Sequence, residues 1–263
     1  HDSPMLLEDR VAIVSGVGPG MGRDISLAFA REGADVVLAA RTPGKLEAVA
    51  AEVEALGRRA LCVPTDITDE DQCHALAKAA VDKFGHVDVL VNNAFVQPPL
   101  ETIEDNDMKT WRKGFEVNVF GTIQMTKAVI PAMKEQGKGS IVFINSMSAR
   151  RIQPEFGIYS AAKSALLTAV QSLARELGGY GIRVNSVLPG YIWGDSVEWY
   201  FRFLAEQEGI TPEEKYDQVA SETCLHHLPT SEEIADSVVF FASDLSRVVT
   251  GQSLDVNAGH WFA

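Results

Sequence analysis

Tyr159 and Lys163 stand four residues apart in Tyr159-Ser160-Ala161-Ala162-Lys163. That spacing puts a phenol and an ammonium on one face of a helix. An ordinary phenol has a pKa of about 10, so only about one in a thousand is ionised at neutral pH. Use as a base near pH 7 needs roughly 4 kcal/mol of extra phenolate stabilisation. A nearby ammonium acts in that direction, and in reverse the same phenol protonates a developing alkoxide. By itself such a pair is more often a helix-surface contact, so its surroundings decide. Ser146 lies upstream, just after the apolar run Ser140–Asn145, where open α/β sheets place ligand-binding groups. Asn118, in Glu116-Val117-Asn118-Val119, falls inside a helical stretch, a poor place for Asn unless its amide has a specific partner. Asn118, Ser146, Tyr159 and Lys163 are therefore the candidate catalytic residues.

A second constellation is Ser15-Gly16-Val17-Gly18-Pro19-Gly20-Met21-Gly22, between a strand-like run and a helix-like one. Glycines spaced GxxxGxG let backbone N–H groups approach a pyrophosphate, with the helix N-terminus adding positive potential. The bland alternative is a tight turn with no ligand. The second strand ends Ala39-Ala40-Arg41. An acid there would bind a ribose 2′-hydroxyl, whereas a base suits the 2′-phosphate. NADP(H) is thus favoured and NAD(H) stays possible, because Pro19 takes the place of a second base and Arg41 could simply face solvent.

The elements that must position these groups follow from periodicity. Continuous apolar runs at Val11–Ser15, Asp35–Ala40, Ala60–Pro64, Val87–Asn92, Ser140–Asn145, Arg183–Leu188 and Ser253–Val256 read as strands buried on both faces. Amphipathic stretches alternate with them at Met21–Arg31, Lys45–Leu56, Asp71–Lys83, Thr110–Lys134, Ser160–Leu177 and Glu232–Ala242. Such alternation predicts a parallel, doubly wound α/β sheet with helices on both faces. No linker divides the 263 residues, so one domain over 1–263 is expected. The aromatic-rich excursion from about 191 to 229 reads as a substrate lid. A net charge of −13 argues against nucleic-acid binding. Three scattered cysteines, no metal-ligand spacing, strand-sized apolar runs and no signal-peptide pattern in HDSPM suggest a cytoplasmic protein with no metal and no membrane segment.

Taken together, SGVGPGMG (15–22), Asp66, NNA (92–94), Asn118, Ser146, YSAAK (159–163), PGYI (189–192) and TGQSLDV (250–256) resemble the short-chain dehydrogenase/reductase family across essentially the whole chain. The resemblance implies a seven-stranded Rossmann-like sheet, a tetrad of Asn118, Ser146, Tyr159 and Lys163, and hydride transfer between a nicotinamide and a secondary alcohol or ketone. It implies cofactor contacts from Ser15, Gly16, Gly20, Met21, Gly22, Arg41, Asp66, Ile67, Asn93, Ala94, Tyr159, Lys163, Pro189, Gly190 and Ile192. Lys163 would also hold the nicotinamide ribose. Three positions depart from the pattern: Phe95 stands where Gly is usual, Gly194 where Thr is often found, and Pro19 where a base is often found. Competing readings are a catalytically silent dinucleotide-binding protein, an epimerase or lyase, and an enoyl reductase, whose relatives place Tyr and Lys further apart. Phe95, Phe156 and the aromatic lid suggest a hydrophobic substrate. Arg150-Arg151 either meet an anionic substrate group or are plain exposed bases. The family further implies a homotetramer, and the apolar ending Trp261-Phe262-Ala263 is expected to dock in a subunit interface.

Overall fold

The computed structural model describes residues 5–263. Seven parallel strands form one sheet in the order β3-β2-β1-β4-β5-β6-β7. Their ranges are β1 Val11–Ser15, β2 Asp35–Ala40, β3 Ala60–Pro64, β4 Val89–Asn92, β5 Gly139–Ile144, β6 Ile182–Pro189 and β7 Ser253–Val256. Strand order reverses between β1 and β4, and Ser15 pairs with Asn92 at that boundary. A crevice at the carboxyl ends of these two strands is the natural ligand position of an open α/β sheet.

The continuous apolar runs have a direct structural cause. Successive side chains leave a strand on opposite faces, and here both faces are covered. Ala12, Val14, Val36, Leu38, Val89 and Val142 enter one core. Ile13, Val37, Leu90, Ile141 and Phe143 enter the other. The first core is closed by α1 Met21–Arg31, α2 Pro43–Ala55 and α9 Ser231–Ala242. The second is closed by α3 Glu70–Phe84, α5 Thr122–Gln136 and α6 Gly157–Leu177. Side-chain caps set several starts: Asp69 accepts from the Gln72 amide, and Thr230 forms a capping box with Glu233.

Two elements differ from the periodicity reading. The stretch Thr110–Lys134 is not one regular helix but α4 Met108–Phe115, a π-turn at Glu116–Gly121, and then α5. The excursion at 191–229 contains two further helices, α7 Asp195–Glu208 and α8 Pro212–Ser221. Phe201, Ala220 and Leu228 make a small core of their own there, packed by Tyr191, Trp193, Val197, Tyr200 and Tyr216. No helix of the described residues is long and apolar enough to cross a membrane.

Candidate active site

The glycine turn joins β1 to α1, and its glycines do different work. Gly16 has φ +75°, and a Cβ there would lie 2.5 Å from the Ala94 backbone. A Cβ on Gly22 would lie 2.5 Å from the Gly16 carbonyl oxygen. Gly20, at φ +95°, borders open space and leaves α1 without a side-chain cap, so the first amides of that helix stay available to an anion. The Asn93 amide donates to the Gly16 carbonyl at 2.9 Å, fixing the turn against the end of β4. Ser15 is buried, and its hydroxyl bridges β1 and β4 by donating to the Val91 carbonyl and accepting from the Asn93 amide. Met21 packs on the first core.

The remaining candidate cofactor contacts follow β2, β3 and β6. Arg41 is exposed and has no ion-pair partner among the described residues. Asp66 accepts from the Thr68 amide and hydroxyl, at 3.0 and 2.8 Å, which hold its carboxyl below the usual range. Ile67 is buried under the π-turn, where a Cβ on Gly121 would meet it at 2.9 Å, so its side chain supports the helix. At the end of β6, Gly190 faces Asn257 closely, and Ile192 packs on the first core.

Ser146, Tyr159 and Lys163 meet at the end of β5 and the start of α6, and Asn118 approaches from the π-turn through Val96 and the neighbouring Phe95. Ser146 lies close enough to Tyr159 to favour its phenolate, its hydroxyl accepts from the Ser148 amide at 3.1 Å, and the Lys163 Nζ lies 5.6 Å from the centre of the Tyr159 ring. Lys163 is buried and donates to the Ile144 carbonyl at 2.8 Å. An ammonium carries three donors; one is satisfied by Ile144, and the remainder suit the hydroxyls of a bound ribose. Asn118 points out of the π-turn and clamps Val96 twice, donating to its carbonyl and accepting from its amide, both at 2.9 Å. The irregular turn is therefore what gives a helical Asn its specific partner. Phe95, held between Ala94 and the clamped Val96, sits edge-on to Tyr159 at 6.3 Å and is more than half exposed.

In the chain without cofactor, burial governs both members of the Tyr–Lys pair. Burial pushes Tyr159 up to about 12, and the nearby Ser146 offsets this only in part. Burial also pushes Lys163 down to about 8. Without the cofactor's charge and hydroxyls, desolvation outweighs the ammonium's pull on the phenol.

Arg150 and Arg151 are not free exposed bases. Arg150 pairs with Asp255 on β7, while Arg151 meets His260 and Glu222. Sequence reasoning passed over Asn145. Its buried amide donates to the Lys163 carbonyl at 3.1 Å, and its oxygen accepts from the Ser146 amide at 2.9 Å. One amide thereby sets the separation of two candidate catalytic residues. The available signal was a polar residue closing an otherwise apolar strand run.

The family model described as "Enoyl-(Acyl carrier protein) reductase" matches residues 16–260. The chain is 37% identical over 260 residues to the L-rhamnose 1-dehydrogenase (NAD(P)(+)) of Azotobacter vinelandii, covering 97% of this chain and 98% of that one. It is 34% identical over 253 residues to the 7alpha-hydroxysteroid dehydrogenase of Escherichia coli (strain K12), covering 96% and 94%. Among solved structures, carveol dehydrogenase from Mycobacterium avium in complex with NAD superposes with a TM-score of 0.91 at 29% identity, covering 97% of this chain and 98% of that one.

Proposed function

The chain belongs to the short-chain dehydrogenase/reductase family and is an NAD(P)-dependent alcohol dehydrogenase or ketoreductase, and from that premise we propose that it interconverts an uncharged, hydrophobic secondary alcohol and its ketone, with Tyr159 as the proton-transfer group. The observation that carries this reading is the placement of Tyr159 between Ser146 and the buried Lys163 ammonium, 5.6 Å from the phenol ring. The bound nicotinamide supplies or accepts the hydride. Ser146 holds the substrate oxygen, and Tyr159 Oη takes its proton on oxidation or returns it on reduction. Lys163 turns its free donors to the ribose. Asn118 keeps Phe95 and Val96 in place as one wall of the crevice and, in the family reading, orders a water in the proton relay. NADP(H) is favoured by exposed Arg41 at the end of β2, with NAD(H) as the second possibility.

Two observations bear on the substrate. Arg150 and Arg151, the bases next to the catalytic loop, are already paired with Asp255 and Glu222, which disfavours an anionic substrate. The same pairing and the net charge of −13 disfavour docking of an acidic acyl carrier protein, despite the description attached to the family model. The four-residue Tyr–Lys spacing likewise favours carbonyl over enoyl reduction. Segment 191–229 is read as the substrate lid of a single dinucleotide-binding domain, and the protein as a cytoplasmic homotetramer. Titration with NADPH and NADH, together with Tyr159→Phe, tests the assignment. Dinucleotide affinity should stay within a few-fold while turnover with a ketone panel falls by ~10² or more. A variant as active as the parent would remove Tyr159 from the chemistry, and binding without turnover in the parent would favour the silent reading.

A further inference from the structure

We propose that His260 is a positioning residue that couples the substrate lid to the loop carrying Ser146, and that protonation of its ring weakens this coupling. The proposal rests on reading 191–229 as the lid. His260 comes from a tail folded back on the molecule. The Asn257 oxygen accepts from the Gly259 and His260 amides, at 3.0 and 3.1 Å, and its amide donates to the Trp261 carbonyl. Ala258 and Gly259 adopt φ of +55° and +78°, and the Leu225 amide, just past α8, donates to the Ala258 carbonyl at 3.1 Å. This tight return leaves the His260 side chain 3% exposed.

Three elements converge on that ring. Arg151 comes from the turn after Ser146, and Glu222 closes α8. Tyr191, from the connection between β6 and α7, lies with its ring centre 6.0 Å from the imidazole. Cys224 backs the tail at Gly259, and the Arg150–Asp255 pair stands beside Arg151 on the same loop.

The chemistry at Nε2 is a competition. Arg151 can only donate, and Glu222, when ionised, can only accept. Both meet the same nitrogen, Glu222 at 3.1 Å. A neutral ring with its proton on Nδ1 offers Nε2 as an acceptor to Arg151, and Arg151 also reaches Glu222 at 3.5 Å. Loop, tail and lid are then tied together. Nδ1 is then a buried donor with no partner among the described residues, a cost that the protonated ring shares. A protonated ring donates to Glu222 and sets a second positive charge against Arg151. The guanidinium then loses its acceptor on the ring and must share the Glu222 carboxylate with it. The tail keeps the lid, and the catalytic loop is held more weakly.

Hydrogen–deuterium exchange on the NADP⁺ complex tests this, corrected for intrinsic rates and read on peptides covering 147–151 and 222–228 between pH 8 and 5.5, the span in which imidazoles titrate. Exchange at 147–151 should accelerate at the acid end in the wild type. It should stay level in His260→Gln, whose amide both donates and accepts without titrating. With cyclohexanol as the probe alcohol, KM should rise roughly fivefold toward pH 5.5 in the wild type, the size of about one lost hydrogen bond. KM should be flat in His260→Gln and raised at every pH in His260→Ala, with kcat little changed in all three. Equal acceleration in the wild type and His260→Gln would overturn the proposal, as would parallel KM profiles. Exchange is measured whether or not the alcohol is oxidised, so failure of the coupling and failure of the proposed activity give different results.

Discussion

At the scale of the residue, the informative group is Lys163. It is fully enclosed, and its one acceptor, the Ile144 carbonyl, leaves most of its hydrogen-bonding capacity unused. Its pKa of about 8 means that the cofactor-free fold holds the proton weakly. A lysine in the unfolded chain keeps its proton to about pH 10.4. Between these values the unfolded chain binds more protons than the folded one, so stability rises with pH across that window. Measured against Lys163→Met, the cofactor-free wild type should gain stability from pH 7.5 to 10, by up to roughly 3 kcal/mol at about 1.4 kcal/mol per pKa unit. Denaturant unfolding at several pH values checks this, and parallel curves for the two proteins would show that the ammonium is better solvated than its burial implies. Cofactor should suppress the slope by supplying the missing acceptors.

At the scale of the element, the glycine turn makes a sharp contrast between two neighbouring glycines. Gly22→Ala drives a methyl to 2.5 Å from the Gly16 carbonyl, whereas a Cβ on Gly18 meets nothing within 4 Å. Thermal unfolding should show Gly22→Ala destabilised by about 1–3 kcal/mol, with weakened dinucleotide binding, and Gly18→Ala close to the parent. Comparable losses in both would mean that the turn is constrained by its own flexibility and not by contact with the strand ends. The same element shows why so much of the fold could be read in advance. Strands covered on both faces are continuously apolar, and the glycines of the turn are demanded by close approach, so both leave plain marks in the chain. The π-turn at Glu116–Gly121 leaves none, because one extra residue per turn alters the direction of Asn118 by about 100° without altering composition. Nor did the helices α7 and α8 announce themselves: their apolar faces pack on one another, in a small core outside the sheet. Of the site, Ser146, Tyr159 and Lys163 could be placed by spacing, while Asn145 and the pairing of Arg150 and Arg151 depend on contacts between residues far apart in the chain.

At the scale of the whole molecule, the edge of the sheet at β7 carries apolar surface that a lone chain leaves in water. Leu254 on the strand, Leu245 and Val248 just before it, and Trp261 and Phe262 after it are all exposed, Val248 to 88% and Phe262 to 73%. Scattered exposed apolar residues are ordinary, but a set flanking one edge strand is the kind of surface that association covers. The tail is also presented in a fixed shape, since Asn257 holds the Trp261 carbonyl at 3.1 Å. Deleting Trp261–Ala263 removes the exposed aromatics and that one hydrogen bond while leaving His260 and its partners in the chain. If the tail contributes to subunit contact, light scattering should give a lower mass for the truncated protein at a concentration where the parent is fully associated, with thermal stability becoming dependent on protein concentration. A truncated chain of unchanged mass would assign the contact to other faces of the molecule, and the exposed aromatics would then be surplus to assembly.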